Sequence, residues 1–144
     1  MSLIPSGLSI QEAYRRYRNG QIIVNRKYQR KLVWTQNEKR MLIDSILHEY
    51  PIPLILFAET QSESGPVYEI LDGMQRLNAI FDFIENKFDI EGRYFDVNQL
   101  ARAKQLKNEG IIEVAEQGGF LEENKCANFL DYQLAVTSYQ VMSE

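Results

Sequence analysis

Tyr68-Glu69-Ile70-Leu71-Asp72-Gly73-Met74-Gln75-Arg76-Leu77-Asn78-Ala79-Ile80-Phe81-Asp82-Phe83-Ile84 decides how the chain is read. Tyr68 to Leu71 has the composition of a strand end. Asp72-Gly73 is a turn dipeptide. Leu77, Ile80, Phe81 and Ile84 recur at i, i+3, i+4 and i+7, the spacing of one apolar helix face. The stretch therefore reads as a strand, a tight turn and a helix start, with polar groups packed into the turn. A helix start offers N–H groups without intrahelical partners and the positive end of a dipole, which together favour an anion. Gly73 lets backbone approach a ligand with no Cβ between them. Gln75 and Arg76 add side-chain donors, and a guanidinium can grip phosphate through two parallel bonds. Two pairs of readings stay open at this level. Asp72 either caps the helix or stays free to hold a metal or orient a water. Arg76 is either a surface salt-bridge partner or a phosphate ligand.

Working upstream, Val67–Leu71 is preceded by a polar turn, Gln61 to Pro66, and by the apolar run Leu54 to Ala58. A continuous apolar run predicts a strand buried on both faces, here 54–59. Before it lie the rigid connector Pro51-Ile52-Pro53 and a helix predicted over 36–49, opened by the capping-box pattern Thr35-Gln36-Asn37-Glu38. His48 falls in its last turn. A first helix is predicted over 10–19, with Ser9 and Glu12 as its capping box and Gly20 as its stop. Ile22–Val24 reads as a short strand. Between that strand and the second helix, Asn25 to Trp34 shows no period and reads as a loop. There Tyr28, Gln29 and Arg30 sit between the apolar anchors Val24, Val33 and Trp34, a setting suited to binding groups. Trp34 reads as a core residue that would hold Gln29 and Arg30 still.

Downstream, Asn86-Lys87 predicts a turn, Phe88 to Phe95 a small hairpin around Glu91-Gly92, and Asn98 to Asn108 a weak helix. Glu109 to Asn128 carries no readable pattern. Leu130 to Met142 alternates as a strand, with a bulge or strand end expected near Thr137, where the apolar positions change parity. The first residues, Met1-Ser2-Leu3, carry no structural weight in this reading. The abrupt stop after Val141 reads as a fragment cut from a longer protein.

The chain has 144 residues, 44% hydrophobic and 25% charged, the profile of one globular domain. One cysteine, Cys126, excludes an internal disulfide framework, and one histidine, His48, excludes a multi-histidine metal site. No apolar run is long enough to span a membrane and no signal-peptide layout opens the chain, so a cytoplasmic setting with no membrane partner is expected. The net charge of −4 hides an asymmetry. Residues 1–60 hold nine Lys/Arg against five Asp/Glu, and residues 61–144 hold seven against fifteen. The basic excess of Arg15, Arg16, Arg18, Arg26, Lys27, Arg30 and Lys31 is either a set of solvated faces or one face for a polyanion. The acidic second half argues against a general nucleic-acid coat.

Three stretches, in order, carry a resemblance: Tyr28-Gln29-Arg30 with Val33-Trp34; Leu42-Ile43-Asp44-Ser45-Ile46 with Tyr50-Pro51-Ile52-Pro53; and Ile70-Leu71-Asp72-Gly73-Met74-Gln75-Arg76-Leu77. The chain resembles the GmrSD-type N-terminal domain family over roughly residues 9–142, a family similar in fold to the ParB and sulfiredoxin group. The resemblance implies an α+β fold, a small mixed sheet with surrounding helices, as one domain over residues 1–144. It implies that the Asp-Gly-Gln-Gln-Arg segment binds and hydrolyses a nucleoside triphosphate, and that Asp72, Gln75 and Arg76 are catalytic. Gln29, Arg30, Gly73 and Arg76 would then contact the nucleotide, and Asp72 would hold Mg²⁺. It further implies a bacterial defence protein acting on modified DNA, with DNA reached through the full-length protein and a C-terminal nuclease-type domain outside this sequence. A single histidine cannot supply an HNH nuclease site here. Met74 departs from the family's Gln and removes one side-chain amide, which favours a second reading: a module that senses nucleotide or DNA without hydrolysis and regulates an attached effector. A sulfiredoxin-like activity would need a reactive cysteine at the phosphate turn, and Cys126 lies fifty residues past Arg76.

Overall fold

The computed structural model describes residues 2–23, 33–116 and 118–141. The elements in chain order are β1 (Ser2–Ser9), α1 (Ile10–Arg18), β2 (Ile22–Ile23), α2 (Gln36–Leu47), β3 (Ile55–Ser62), β4 (Gly65–Asp72), α3 (Met74–Ile84), β5 (Arg93–Tyr94), α4 (Ala101–Asn108), β6 (Gly119–Phe120), α5 (Glu123–Asp131) and β7 (Gln133–Gln140). Five strands form one mixed sheet in the order β1-β7-β3-β4-β2. β1 and β7 pair antiparallel, as do β3 and β4; β7 with β3 and β4 with β2 pair parallel. The fold is α+β, as expected.

Local chemistry sets the helix starts. The Ser9 side chain accepts the Glu12 N–H at 3.1 Å and begins α1. Thr35 and Glu38 form the full reciprocal box at the start of α2, with bonds of 3.1 and 3.2 Å. β3 and β4 meet in a hairpin whose tight turn is Glu63-Ser64. α3 is the central helix: Leu77, Ala79, Ile80, Phe81, Phe83 and Ile84 are all buried, more than the single face its spacing predicted. Phe83 meets Phe88, Phe95 and Phe129 at centroid distances of 5.5, 6.2 and 5.4 Å, and Tyr17 stacks on Phe81 at 4.4 Å. These aromatic contacts pin α1 and α5 to α3.

Along the sheet, Leu8, Leu134, Val136, Ile55, Phe57, Ile70 and Ile22 form the buried, helix-facing side. The opposite side holds the half-buried Leu56 and Ala58 and the exposed Leu3, Leu71 and Ile23. β3 is therefore fully buried on one face only. This corrects the expectation from its apolar run, because Ile55 and Phe57 face the core while Leu56 and Ala58 on the opposite side stay half-buried.

Several other expectations are corrected. Ser2–Ser9 is a full-length edge strand in register with all of β7. Leu130 and Asp131 close a helix rather than open a strand, because Cys126, Phe129 and Leu130 lie at helical spacing on the buried side of α5. β7 then runs unbroken through Thr137, with Leu134, Val136 and Ser138 facing the core. The parity change in its apolar positions reflects Tyr139 and Val141 on the other face, not a bulge. The region without a readable pattern contains β6 and most of α5. The small hairpin appears as a single Ile90–Arg93 bridge.

Candidate functional site

β4 delivers the chain to the Asp72–Arg76 turn beside the start of β3. Leu56 pairs with Asp72 and Phe57 with Ile70, so Leu71 is an extra residue in β4 and the ladder bulges at the turn. Such a bulge bends its strand and re-aims the residues that follow. Gly73 is the N-cap of α3 with φ +103° and ψ 13°, and among the described residues no side chain caps the helix. Asp72 is thus not the cap, because the left-handed step at Gly73 ends the strand one residue later. A Cβ on Gly73 would lie 2.6 Å from Ile55 Cδ1 and 3.2 Å from Arg76 Nη2. Both the backbone angle and the close approach require glycine here.

Asp72 projects outward, its side chain 73% exposed. Arg76 does the opposite. Its side chain is only 15% exposed; Nη2 donates to the Leu54 carbonyl oxygen at 2.7 Å and lies 3.8 Å from Asp72 Oδ2, while buried Nε has no partner among the described residues. Arg76 is therefore a largely buried side chain that pairs at long range with the exposed Asp72 and donates to a backbone carbonyl. It lies beneath the turn and ties the entry of β3 to the first turn of α3. Sequence reasoning missed the Leu54 carbonyl, for which no side-chain motif exists. Gln75 Oε1 accepts the Trp34 backbone N–H at 3.3 Å. Trp34 is partly buried and packs against the core, while neighbouring Val33 is exposed. Met74 also packs partly buried against the core. Gln29 and Arg30, the remaining expected ligand contacts, lie outside the described residues.

Among the described residues no group of three or more His, Cys, Asp or Glu side chains is placed to hold a metal ion. Asp72 thus belongs to no such group among the described residues and offers its one carboxylate. That donor set suits a hard cation that arrives already coordinated by phosphate, since Mg²⁺ commonly takes one or two carboxylates plus substrate oxygens.

The basic residues of α1 do not form one open face. Arg18 reaches buried Glu85, through a 2.8 Å bond from Nε and a second contact from Nη2, and the Tyr14 hydroxyl donates to the same carboxylate at 2.8 Å. Burial and this bond push the Tyr14 phenol well above its usual range. Arg16 lies over the Tyr68 ring at 4.8 Å. Arg15 and Arg16 both pair with Glu12, and the hydrogen bond from Arg15 is the main cause of its carboxyl being lowered to about 2. His48 is exposed at the end of α2, its Nδ1 2.8 Å from the Asp44 carbonyl oxygen. Cys126 is buried and its thiol is pushed up by burial, so it has none of the features of a reactive thiolate.

Two cavities lie away from the turn. One of about 150 Å³ sits between α1 and the sheet, lined by Arg16, Glu59, Tyr68 and Ser138 among others. One of about 430 Å³ lies by His48, Glu91, Arg93 and Lys125. Neither includes Asp72, Gly73, Gln75 or Arg76.

Fold and turn together define an α+β domain built on a strand, a glycine-capped turn and a central buried helix. The chain belongs to the family described as GmrSD restriction endonuclease, N-terminal domain, which matches residues 10–140. No curated protein and no solved structure matches it at a significant level. Among the described residues no helix is long and apolar enough to cross a membrane.

Proposed function

We propose that the Asp72–Arg76 turn binds the phosphates of a nucleoside triphosphate, and that the domain is the nucleotide-binding and hydrolysing part of a bacterial restriction or defence protein directed at modified DNA. In this reading the protein acts in the cytoplasm, and a C-terminal nuclease-type domain supplies DNA cleavage. The observation that carries the proposal is the start of α3: an eleven-residue helix with no side-chain cap among the described residues, entered through a glycine whose φ of +103° and close approach to Ile55 disfavour any side chain. First-turn N–H groups at such a terminus attract phosphate oxygens, and a glycine turn lets those oxygens come close. Arg76 sets a positive charge beneath the same turn. Asp72 is the residue that would hold Mg²⁺, and the ion would supply neutralisation of phosphate charge. Gln29 and Arg30 would add donors from the preceding loop.

One observation favours the second reading, a sensor without turnover. Gln75 Oε1 accepts from Trp34 N–H and Arg76 Nη2 donates to the Leu54 carbonyl, so each atom has one of its two hydrogen-bonding positions committed to the backbone and less freedom to position a water. Both readings share the binding step and divide at hydrolysis.

Titrations with the four ribonucleoside triphosphates and Mg²⁺, together with phosphate release, test the reading in the parent, Asp72→Asn and Arg76→Lys. The parent binds at least one nucleotide. Asp72→Asn melts like the parent and loses the Mg²⁺-dependent part of binding and any hydrolysis. Arg76→Lys keeps the charge but loses the planar fork and recovers only part of the affinity. A parent that binds no triphosphate, or an Asp72→Asn variant unchanged in both assays, overturns the proposal. Binding without phosphate release selects the sensor.

A further inference from the structure

We infer that the cavity between α1 and the sheet is a binding site for a nucleobase, with guanine the best fit, separate from the Asp72–Arg76 turn and independent of what that turn binds. The cavity holds about 150 Å³, roughly the share of five waters, which suits one heterocycle rather than a whole nucleotide. Its mouth lies at edge strand β1, where Ile4 and Ser6 are exposed. One buried group points to a polar occupant. Ser138 stands at a core-facing position of β7, is only 8% exposed, and lines the cavity. Its hydroxyl has no hydrogen-bond partner among the described residues. A buried polar group without a partner costs free energy that a ligand's hydrogen bond recovers.

Arg16 from α1 and Glu59 from β3 also line the cavity, and both are held by neighbours. Arg16 Nε donates to Glu12 Oε2 at 2.9 Å, and the guanidinium lies 4.8 Å over the Tyr68 ring. Gln140 Nε2 donates to Glu59 Oε2 at 3.3 Å, and the Tyr68 hydroxyl bonds the same carboxylate. These take two of the roughly four lone-pair positions of Glu59 and leave two. The charges select the ligand class. Glu12 already answers Arg16, and Glu59 adds a second carboxylate, so a phosphate or carboxylate would meet net negative charge. A cation would meet the guanidinium. A polyol would turn hydroxyls toward the apolar walls of Leu8, Phe57 and Val136. A neutral planar heterocycle sets its faces on those walls and its edge on the polar groups. Guanine carries two adjacent N–H donors beside a carbonyl oxygen. The Glu59 carboxylate accepts from both donors, and the oxygen accepts from Arg16 or Ser138.

The test titrates the whole chain with guanosine, adenosine, cytidine and uridine, nucleosides that carry no phosphate, and follows backbone amide resonances by NMR. Guanosine shifts Phe57, Val136 and Ser138 saturably, and the other three bind about tenfold more weakly or less, the scale of a lost hydrogen bond to a charged group. Two variants test the polar groups, each checked first by a thermal melt. Ser138→Ala removes a hydroxyl without a partner, so it melts no lower than the parent, and it weakens guanosine about two- to tenfold. Glu59→Gln keeps an oxygen for Gln140 but replaces an acceptor by a donor; it weakens guanosine about tenfold or more and narrows its lead over the other nucleosides. A short single strand with one guanine among thymines distinguishes the sources. Tighter binding of the strand than of the nucleoside assigns the base to nucleic acid, and the reverse assigns it to a free nucleoside; either supports the site. No saturable shift at Phe57, Val136 and Ser138 leaves a cavity filled by water and overturns the inference. Shifts confined to residues 72–77, equal affinity for the four nucleosides, glucose bound as well as guanosine, or both variants binding like the parent also overturn it.

Discussion

Replacing Gly73 by alanine should be the most damaging single-methyl change at the turn. The backbone there has φ +103°, and an L-residue in a left-handed conformation costs about 1–2 kcal/mol. The added Cβ also meets Ile55, at 2.6 Å from Cδ1 and 3.4 Å from Cα. Ile55 is fully buried, so its terminal methyl has no open space to rotate into, and forcing a methyl into packed core costs about 1–3 kcal/mol more. The sum is about 2–5 kcal/mol, a large part of the roughly 5–15 kcal/mol that holds a domain folded. For a chain of this size it lowers Tm by roughly 3 °C per kcal/mol, hence about 6–15 °C. Gly20→Ala is the control. Gly20 has φ +75° but nothing within 4 Å of a built Cβ, so it carries the backbone cost without the collision. Urea and thermal melts of both variants measure the difference. If Gly73→Ala melts within about 2 °C of Gly20→Ala, the close approach of Ile55 to the turn is not as described, and the argument for an obligatory glycine fails.

Three further outcomes follow from side chains away from the turn. Glu85→Ala strands the Arg18 guanidinium and the Tyr14 hydroxyl, which share its carboxylate in the interior, and should destabilise by about 3–5 kcal/mol in a urea titration; a loss below about 1 kcal/mol would place the pair in solvent. The carboxyl of Glu12 titrates near 2 in the folded protein against an ordinary 4.5, chiefly through Arg15, so its small contribution to stability is complete above about 4.5 and lost as pH falls toward 2. NMR titration should show the Glu12 carboxyl moving up toward 4.5 in Arg15→Ala, and no movement would remove Arg15 as the cause. Cys126 should resist a thiol reagent in the folded protein and react at the unfolding rate; rapid labelling under native conditions would contradict its burial.

Local patterns made the three helices around the turn legible before any coordinates. Ser9, Thr35 and the Leu77–Ile84 spacing each encode a helix boundary or face within a few residues, which is why α1, α2 and α3 lie where they were expected. The hairpin strands β3 and β4 were legible for the same reason, since a polar turn separates two apolar runs. The strand–turn–helix motif and its family were readable too, because they depend on residue identity and order.

Pairings between distant segments left no such trace. β1 contains one buried side chain, Leu8, with Pro5 and Gly7 inside the run, and becomes a strand only because β7 lies alongside it more than a hundred residues later. The end of α5 and the start of β7 were blurred because Leu130 satisfies a helical period with Cys126 and an alternating period with Leu134 at once. Only packing on the α3 aromatics chooses between them. At the turn, the sequence named Asp72, Gly73, Gln75 and Arg76 but not their roles. A guanidinium can serve a phosphate or a carbonyl, and an amide can serve a ligand or a backbone N–H; residue type does not distinguish them. The folded chain adds what residue type cannot: it sets the Leu54 carbonyl against Arg76 and the Trp34 N–H against Gln75, contacts that span twenty-two and forty-one residues and exist only in the folded chain.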